Sequence, residues 1–216
     1  MDNSKKAVQV YDQIAKAYAD EFSEPSEHID EFLELLPTNS KILDVGCGNG
    51  VDSSNVKNKG FDVVGVDMSD KMLDIARSKY PEIDFRLGDM RKLDFDENVF
   101  DGIIASCSLI HIPKKDVPKT LEQFASFLKQ GGAIYIQLQS GKSEELFIDE
   151  PFKPDEKLFL NIISYNEIKL LLKNAGFDIV RKREHKPQKK EELDFTKLYI
   201  IAQYNGAHKS ITYQRV

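Results

Sequence analysis

The chain has 216 residues, 41% of them hydrophobic, and 36 acids against 30 Lys and Arg give a net charge of −6. That is enough apolar material for one α/β domain with a core plus small additions, and it excludes a disordered chain. The acidic balance argues against nucleic acid as the main partner. No run approaches the ~18 apolar residues of a membrane span, and the two cysteines, Cys47 and Cys107, make no disulfide framework. Met1-Asp2-Asn3-Ser4-Lys5-Lys6 leads into an amphipathic stretch, not an apolar signal core. A cytoplasmic protein that does not enter the membrane is expected.

Residues 5–20 carry Val8, Tyr11, Ile14, Ala15 and Tyr18 at helical spacing. A second apolar run, Ile29, Phe32, Leu33, Leu35 and Leu36, stops at Pro37. Both precede the first predicted strand, so residues 1–40 read as a helical cap able to cover an open edge of the domain that follows. Tyr11 and Tyr18 share a face. They serve either as core of a docking helix or as a cover over a ligand, and an aromatic face suits a cation.

Ile42-Leu43-Asp44-Val45-Gly46-Cys47-Gly48-Asn49-Gly50 reads as a buried strand entering a glycine-rich turn, with a helix from Val51 to Lys59 ended by Gly60. Such a turn lets a ligand approach the backbone, with helix N–H groups aimed at it. The dinucleotide fingerprint needs a third glycine where Val51 stands, and the phosphate loop needs a Lys that Asp44 to Val56 lack. Asp44 repels a pyrophosphate but suits an ammonium or sulfonium. The pattern points to a nucleoside joined to an amino acid.

Phe61 to Asp67 is the second strand, and it ends in an acid about 20 residues past the glycines, the spacing at which doubly wound sheets present a carboxylate to ribose hydroxyls. Ser69 caps the next helix, whose inner face is Met72, Ile75 and Ala76. Ile83–Gly88 is the third strand. It is followed by Asp89-Met90, an acid able to accept from an exocyclic amine and a thioether able to pack on a ring. Phe100–Ser106 is the fourth, running into Cys107 to His111 at the same edge. Asp116 caps a helix with Leu121, Phe124, Ala125 and Leu128 inside, ended by Gly131-Gly132, and Ala133–Leu138 is the fifth strand. The alternation predicts a parallel sheet.

Residues 140–161, acidic and aromatic, read as a lid, a substrate loop or a surface excursion. Ser164-x-x-Glu167 is a capping box for a helix presenting Ile168, Leu171, Leu172 and Ala175. Phe177–Arg183 and Phe195–Gln203 read as a closing antiparallel pair. A basic patch between them (Arg181, Lys182, Arg183, Lys186, Lys189, Lys190) is answered by Glu191 and Glu192 and reads as a solvated loop. Residues 204–216 read as a polar tail.

With these residues in place the chain resembles a class I S-adenosylmethionine-dependent methyltransferase of the domain 11/25 type, over roughly residues 8–203. ILDVGCGNG is similar to the family's first motif and VVGVDMSDKML to its ribose acid and helix. IDFRLGDMRKLDF is similar to the adenine motif, FDGIIASCSLIHI to the fourth-strand motif, and FASFLKQGGAIYI to the helix and strand beyond. The resemblance implies an α/β, three-layer, doubly wound, Rossmann-like fold: a seven-stranded, mostly parallel sheet with an antiparallel last strand, plus N-terminal helices. It divides the chain into a cap (1–40), a cofactor-binding domain (41–203) and a tail.

Carried over, Asp44, Gly46, Cys47, Gly48 and Gly50 hold the methionine portion of S-adenosylmethionine (the product being S-adenosylhomocysteine). Asp67 takes the ribose, with Met68 against the adenine. Asp89 and Met90 take the adenine edge, Ser106 lies beside the methionine end, and Tyr18 covers the cofactor. Methyl transfer from a sulfonium needs alignment above all. Where a proton must leave the acceptor, His111 is the candidate base.

The Pro-Cys pair of cytosine-C5 enzymes and the Asn/Asp-Pro-Pro-aromatic motif of base-amino methylases are absent, and no Cys/His cluster has metal-ligand spacing. The expectation is methyl transfer to an O or N of a small molecule, without a metal, by a monomer or homodimer. A cofactor-binding protein acting through a partner, a methyltransferase of tRNA or protein, and a dinucleotide oxidoreductase stay as alternatives.

Overall fold

The computed structural model describes residues 2–187 and 195–206. Lys189, Lys190, Glu191 and Glu192 of the basic patch, and the tail beyond residue 206, lie outside the described residues. In chain order the elements are α1 (Asn3–Glu21), α2 (Ile29–Leu33), β1 (Lys41–Val45), α3 (Val51–Asn58), β2 (Asp62–Asp67), α4 (Asp70–Lys79), β3 (Asp84–Leu87) and β4 (Phe100–Ser106). Then come α5 (Val117–Phe127), β5 (Leu128–Ser140), β6 (Glu144–Glu150), β7 (Lys153–Ile162), α6 (Tyr165–Asn174), β8 (Phe177–His185) and β9 (Thr196–Tyr204).

Seven strands form one sheet in the order β3-β2-β1-β4-β5-β9-β8. β1 pairs in parallel with both β2 and β4, and β9 runs antiparallel to both β5 and β8. The expected α/β, doubly wound sheet is therefore the observed one. Because β1 has β2 on one side and β4 on the other, the chain reverses its winding there, and a crevice opens at the C-terminal ends of these two strands.

Strand periodicity of two builds the layers. Leu43, Val45, Ile103, Ala105, Ile134, Ile136, Leu198 and Ile200 face one buried cluster with α1, α5 and α6. Ile42, Ile104, Ala133, Tyr135, Tyr199 and Ile201 face the other, with α2, α3 and α4. No helix among the described residues is long and apolar enough to cross a membrane.

Several local readings change. Residues 140–161 are not a loop: β6 and β7 form a separate antiparallel hairpin, pairing Leu146 with Leu160 and Ile148 with Leu158. Glu145, Asp149 and Lys157 are exposed on the face opposite Leu146 and Ile148, Glu144 is exposed at the start of β6, and this charge hides the strand pattern. β5 begins at Leu128 rather than Ala133, because Leu128 pairs with Phe100 and a bulge carries the chain past Gly131 and Gly132. Asp116 precedes α5 but makes no side-chain cap; its carboxylate goes to Arg91 at 3.2 Å. On α4 the buried residues are Met72, Leu73 and Ala76, while Ile75 is half-buried. Ser69 caps α4 by accepting from the Met72 N–H, and Ser164 caps α6 by accepting from that of Glu167.

Candidate functional site

The crevice beyond β1 and β4 holds a cavity of about 100 Å³ that opens to solvent. Its floor is the glycine turn. Gly46 has φ +74°, and a Cβ there would stand 2.4 Å from the Ser108 Cβ, so only glycine fits. Gly48 has φ +53° and nothing within 4 Å of where a Cβ would be, so its backbone lies open to the cavity. Gly50 faces away, against Phe85 and Ala76. The Cys47 thiol is also turned from the cavity, buried beside β2, and burial pushes its pKa well up.

Three acids stand at these strand ends. Asp44 is 1% exposed and accepts from the Ser53 hydroxyl at 2.6 Å. Asp52, in the first turn of α3, accepts from the Ser26 N–H at 2.7 Å and faces the Ser26 hydroxyl at 2.6 Å. Asp67 accepts from the N–H of Gly48 at 2.9 Å and of Ser69 at 2.8 Å, and its side chain lines the cavity. Burial raises all three carboxyls above the ordinary range, and for Asp44 the neighbouring Asp52 adds to the rise.

Asp52, Ser26, Ser106 and Gln137 form a chain of contacts at 2.6, 2.6 and 3.1 Å. Ser26 donates to Asp52 and Ser106 donates to Gln137, and the two hydroxyls meet between them. Among the described residues, no Lys or Arg lines the cavity. The site is rich in acid and poor in base, which suits a cationic ligand and disfavours a phosphate.

Met68, Met72 and Met90 give the cavity a thioether wall. Asp89 is placed otherwise. It does not line the cavity, and Arg91 grips both its oxygens at 2.7 to 3.1 Å. Burial alone would raise the Asp89 carboxyl; the Arg91 guanidinium holds it below the usual range. Arg91 also bonds Asp2 and Asp116 at 2.7 and 3.2 Å, tying the start of α1 to the loop after β3 and to the start of α5. This three-acid clasp involves side chains far apart in sequence and left no sequence signal.

Opposite the floor lies a cover. Tyr11 and Tyr18 of α1 meet edge to face at 5.5 Å, and both line the cavity. Tyr18 stacks on Phe22 at 4.5 Å, which in turn meets Phe152 of the hairpin at 6.1 Å. Phe22 and Phe152 are exposed at the mouth.

His111 follows β4, is half-buried and lines the cavity. Its Nδ1 faces the Phe159 carbonyl at 3.1 Å and its Nε2 faces the Tyr11 hydroxyl at 2.9 Å. A carbonyl only accepts, so Nδ1 carries the proton and Nε2 accepts from Tyr11. Burial pushes the His111 pKa down to about 4, so the ring is neutral. Tyr11 is the site residue the sequence reading did not single out by role; its seven-residue spacing from Tyr18 was the available signal.

Cys107, between β4 and His111, sits in left-handed backbone at φ +48° with its N–H donated to the Gln137 carbonyl at 2.9 Å. Burial pushes its thiol up to about 12, which removes it as a nucleophile at neutral pH. Gln137, near the end of β5, accepts from the Ser106 and Tyr135 hydroxyls.

Comparison with known proteins follows the same lines. Residues 42–132 match the family described as methyltransferase domain. The chain is 30% identical over 156 residues to YqeM of Bacillus subtilis, covering 68% of this chain and 63% of that one. It is 39% identical over 97 residues to a demethylmenaquinone methyltransferase of Chlorobaculum tepidum (44% and 39%). The chain thus spans less than two thirds of the length of these relatives. Among solved structures, the fold matches 1,6-didemethyltoxoflavin-N1-methyltransferase of Burkholderia thailandensis, bound to 1,6-didemethyltoxoflavin and S-adenosylhomocysteine. The TM-score is 0.72 at 18% identity, with 94% of this chain and 87% of that one covered. It also matches a methyltransferase of Methanosarcina mazei, with TM-score 0.73 at 19% identity, covering 84% and 98%.

Proposed function

This chain belongs to the class I S-adenosylmethionine-dependent methyltransferases, and from that premise we propose that it moves a methyl group to an O or N of a small, partly aromatic molecule. The supporting observation is a cavity lined by acid, thioether and glycine backbone but, among the described residues, by no Lys or Arg. The residues fit the cofactor: the open backbone at Gly48 admits it, Asp44 and Ser106 would hold its amino-acid end, Asp67 its ribose, and Met68 and Met90 its base. Bound there, S-adenosylmethionine supplies a methyl group activated by a sulfonium.

The chain's own residues then do three things. Asp44 and Asp67 offer carboxyls whose ionised form a bound cation would favour against the burial that raises them. Tyr18, Phe22 and Phe152 exclude water and give the acceptor an aromatic wall. The Tyr11 oxygen, with its proton pledged to His111 Nε2, remains free to accept from an acceptor N–H or O–H, so it orients the attacking atom. Burial keeps imidazolium disfavoured at His111, so the pair positions an acceptor whose lone pair is already available rather than acting as a strong base.

Calorimetric titration with S-adenosylhomocysteine tests the reading. One equivalent should bind, and Asp67→Ala should weaken it markedly. A folded protein that binds none overturns the cofactor assignment. With binding in hand, transfer of labelled methyl to a panel of amines, phenols and heteroaromatics tests the acceptor class; labelling of RNA or protein alone would replace it.

A further inference from the structure

Away from the cavity, at the β8 edge of the sheet, three potential metal ligands converge. Glu27 and His28 lie in the connection between α1 and α2, and His185 is the last residue of β8. One ligand atom from each lies within 4.8 Å of the others. We propose that Glu27, His28 and His185 form a binding site for one divalent transition ion of the zinc class, which clips the α1–α2 connection to the sheet.

The state of His28 carries the argument. Its Nδ1 meets the Glu31 carboxylate at 2.9 Å. Arg183 and Arg181 hold that carboxylate in turn, at 3.1 and 3.5 Å, so Glu31 is anionic and Nδ1 carries the proton. Nε2 therefore presents a lone pair, and it is buried with no hydrogen-bond partner. A ring with one nitrogen donated to a carboxylate and the other bare is the arrangement of a ligating histidine.

A second buried group points the same way. Tyr199 is 2% exposed, its hydroxyl has no partner, and its ring touches both imidazoles at 4.9 and 5.1 Å. The backbone also holds a cost here: His28 has φ +63°, a left-handed conformation uncommon outside glycine and asparagine.

Two imidazoles and one carboxylate make an N/O donor set suited to Zn²⁺ with water in the fourth position. The Glu27 oxygen and His185 Nδ1 meet at 2.9 Å, a hydrogen bond that the ion would replace, with the ring proton moving to Nε2. Two ligands on one zinc stand about 3–3.5 Å apart, so binding draws in the widest pair by roughly 1 Å, which the exposed Glu27 side chain can provide.

The consequence reaches the cavity. The Glu27 carbonyl accepts from the Tyr135 hydroxyl at 2.6 Å, and the adjacent Ser26 bonds Asp52 and Ser106. A metal that fixes Glu27 and His28 fixes this cover over the strand ends. That consequence, unlike the site itself, rests on the proposed cofactor reading.

The test is titration of tag-free, chelator-treated full-length protein with ZnCl₂, followed by calorimetry and thermal melting. One equivalent should bind and raise the melting temperature. His28→Asn, which tolerates left-handed backbone, and His185→Gln should each abolish that gain while keeping the wild-type circular dichroism spectrum. Glu31→Gln should bind about 10–100-fold more weakly. Co²⁺ should give visible d–d bands that both histidine variants lose. No saturable binding, or binding indifferent to the histidine variants, overturns the site. If zinc binds there and S-adenosylhomocysteine affinity does not change, the site stands and its reach to the cavity is overturned. If S-adenosylhomocysteine does not bind at all, only the cofactor reading fails.

Discussion

The floor and the cover of the cavity are built on different principles. The floor, at the ends of β1, β2 and β4, is made largely of backbone at strand ends: Gly46 and Gly48 turn the chain, and Asp67 is pinned by the N–H groups of Gly48, 19 residues before it, and of Ser69. The cover is made of residues that meet only across the fold: Tyr11 with His111, His111 with the Phe159 carbonyl, and Phe22 with Phe152. A floor that binds through local backbone can serve a constant cofactor, while a cover assembled from three distant segments is free to change with the acceptor.

Substitution at the two glycines of the turn should show the largest effect. Gly46→Ala meets Ser108 at 2.4 Å with φ +74° and is expected to cost on the order of 2–4 kcal/mol in urea melts. Gly48→Ala has no neighbour within 4 Å and should cost only the left-handed penalty, about 1–2 kcal/mol, while obstructing the ligand. Equal losses would mean that crowding does not distinguish the two positions.

The cover should show itself in pH dependence. His111 has its pKa pushed down by burial to about 4, against about 6.5 when unfolded. Between those values the unfolded chain binds a proton the folded chain does not, so stability rises with pH across that window and is lost as pH falls through it. The contribution is roughly 2–3 kcal/mol. Asp44 and Asp52, raised in the folded state, slope the other way. The difference between wild type and His111→Gln therefore isolates the histidine, and parallel pH curves would show that it is not held neutral.

Asp67→Asn removes charge from the floor while keeping an oxygen for one backbone N–H. Charge-assisted hydrogen bonds contribute about 1.5–3 kcal/mol, so S-adenosylhomocysteine should bind roughly 10–100-fold more weakly. Tyr11→Phe, in the cover, should leave that affinity within a few-fold and lower turnover about tenfold, the value of one lost orienting hydrogen bond. If Tyr11→Phe weakened the cofactor as much as Asp67→Asn, the division of labour between floor and cover would be wrong.

Legibility follows the same division. The strands and helices from Lys41 to Ser106 read directly from alternation, Gly60 and the Ser69 cap. The hairpin did not, because the exposed Glu144, Glu145 and Asp149 mask the paired Leu146 and Ile148. Asp89 and Asp116 read as a ligand acceptor and a cap, but Arg91 claims both, and nothing local marks that an arginine two residues past one acid will also reach the other.

The sequence by itself determined the order of elements, the parallel sheet and the acidic, glycine-lined edge, because these rest on periodicity and backbone requirements within a few residues of one another. Only the tertiary structure decided which side chains close the cavity, which tautomer His111 takes, and that His28 and His185 stand together. Those depend on distances between segments far apart in the chain, where a charge, a carbonyl or an empty lone pair acquires its partner from packing rather than from its neighbours.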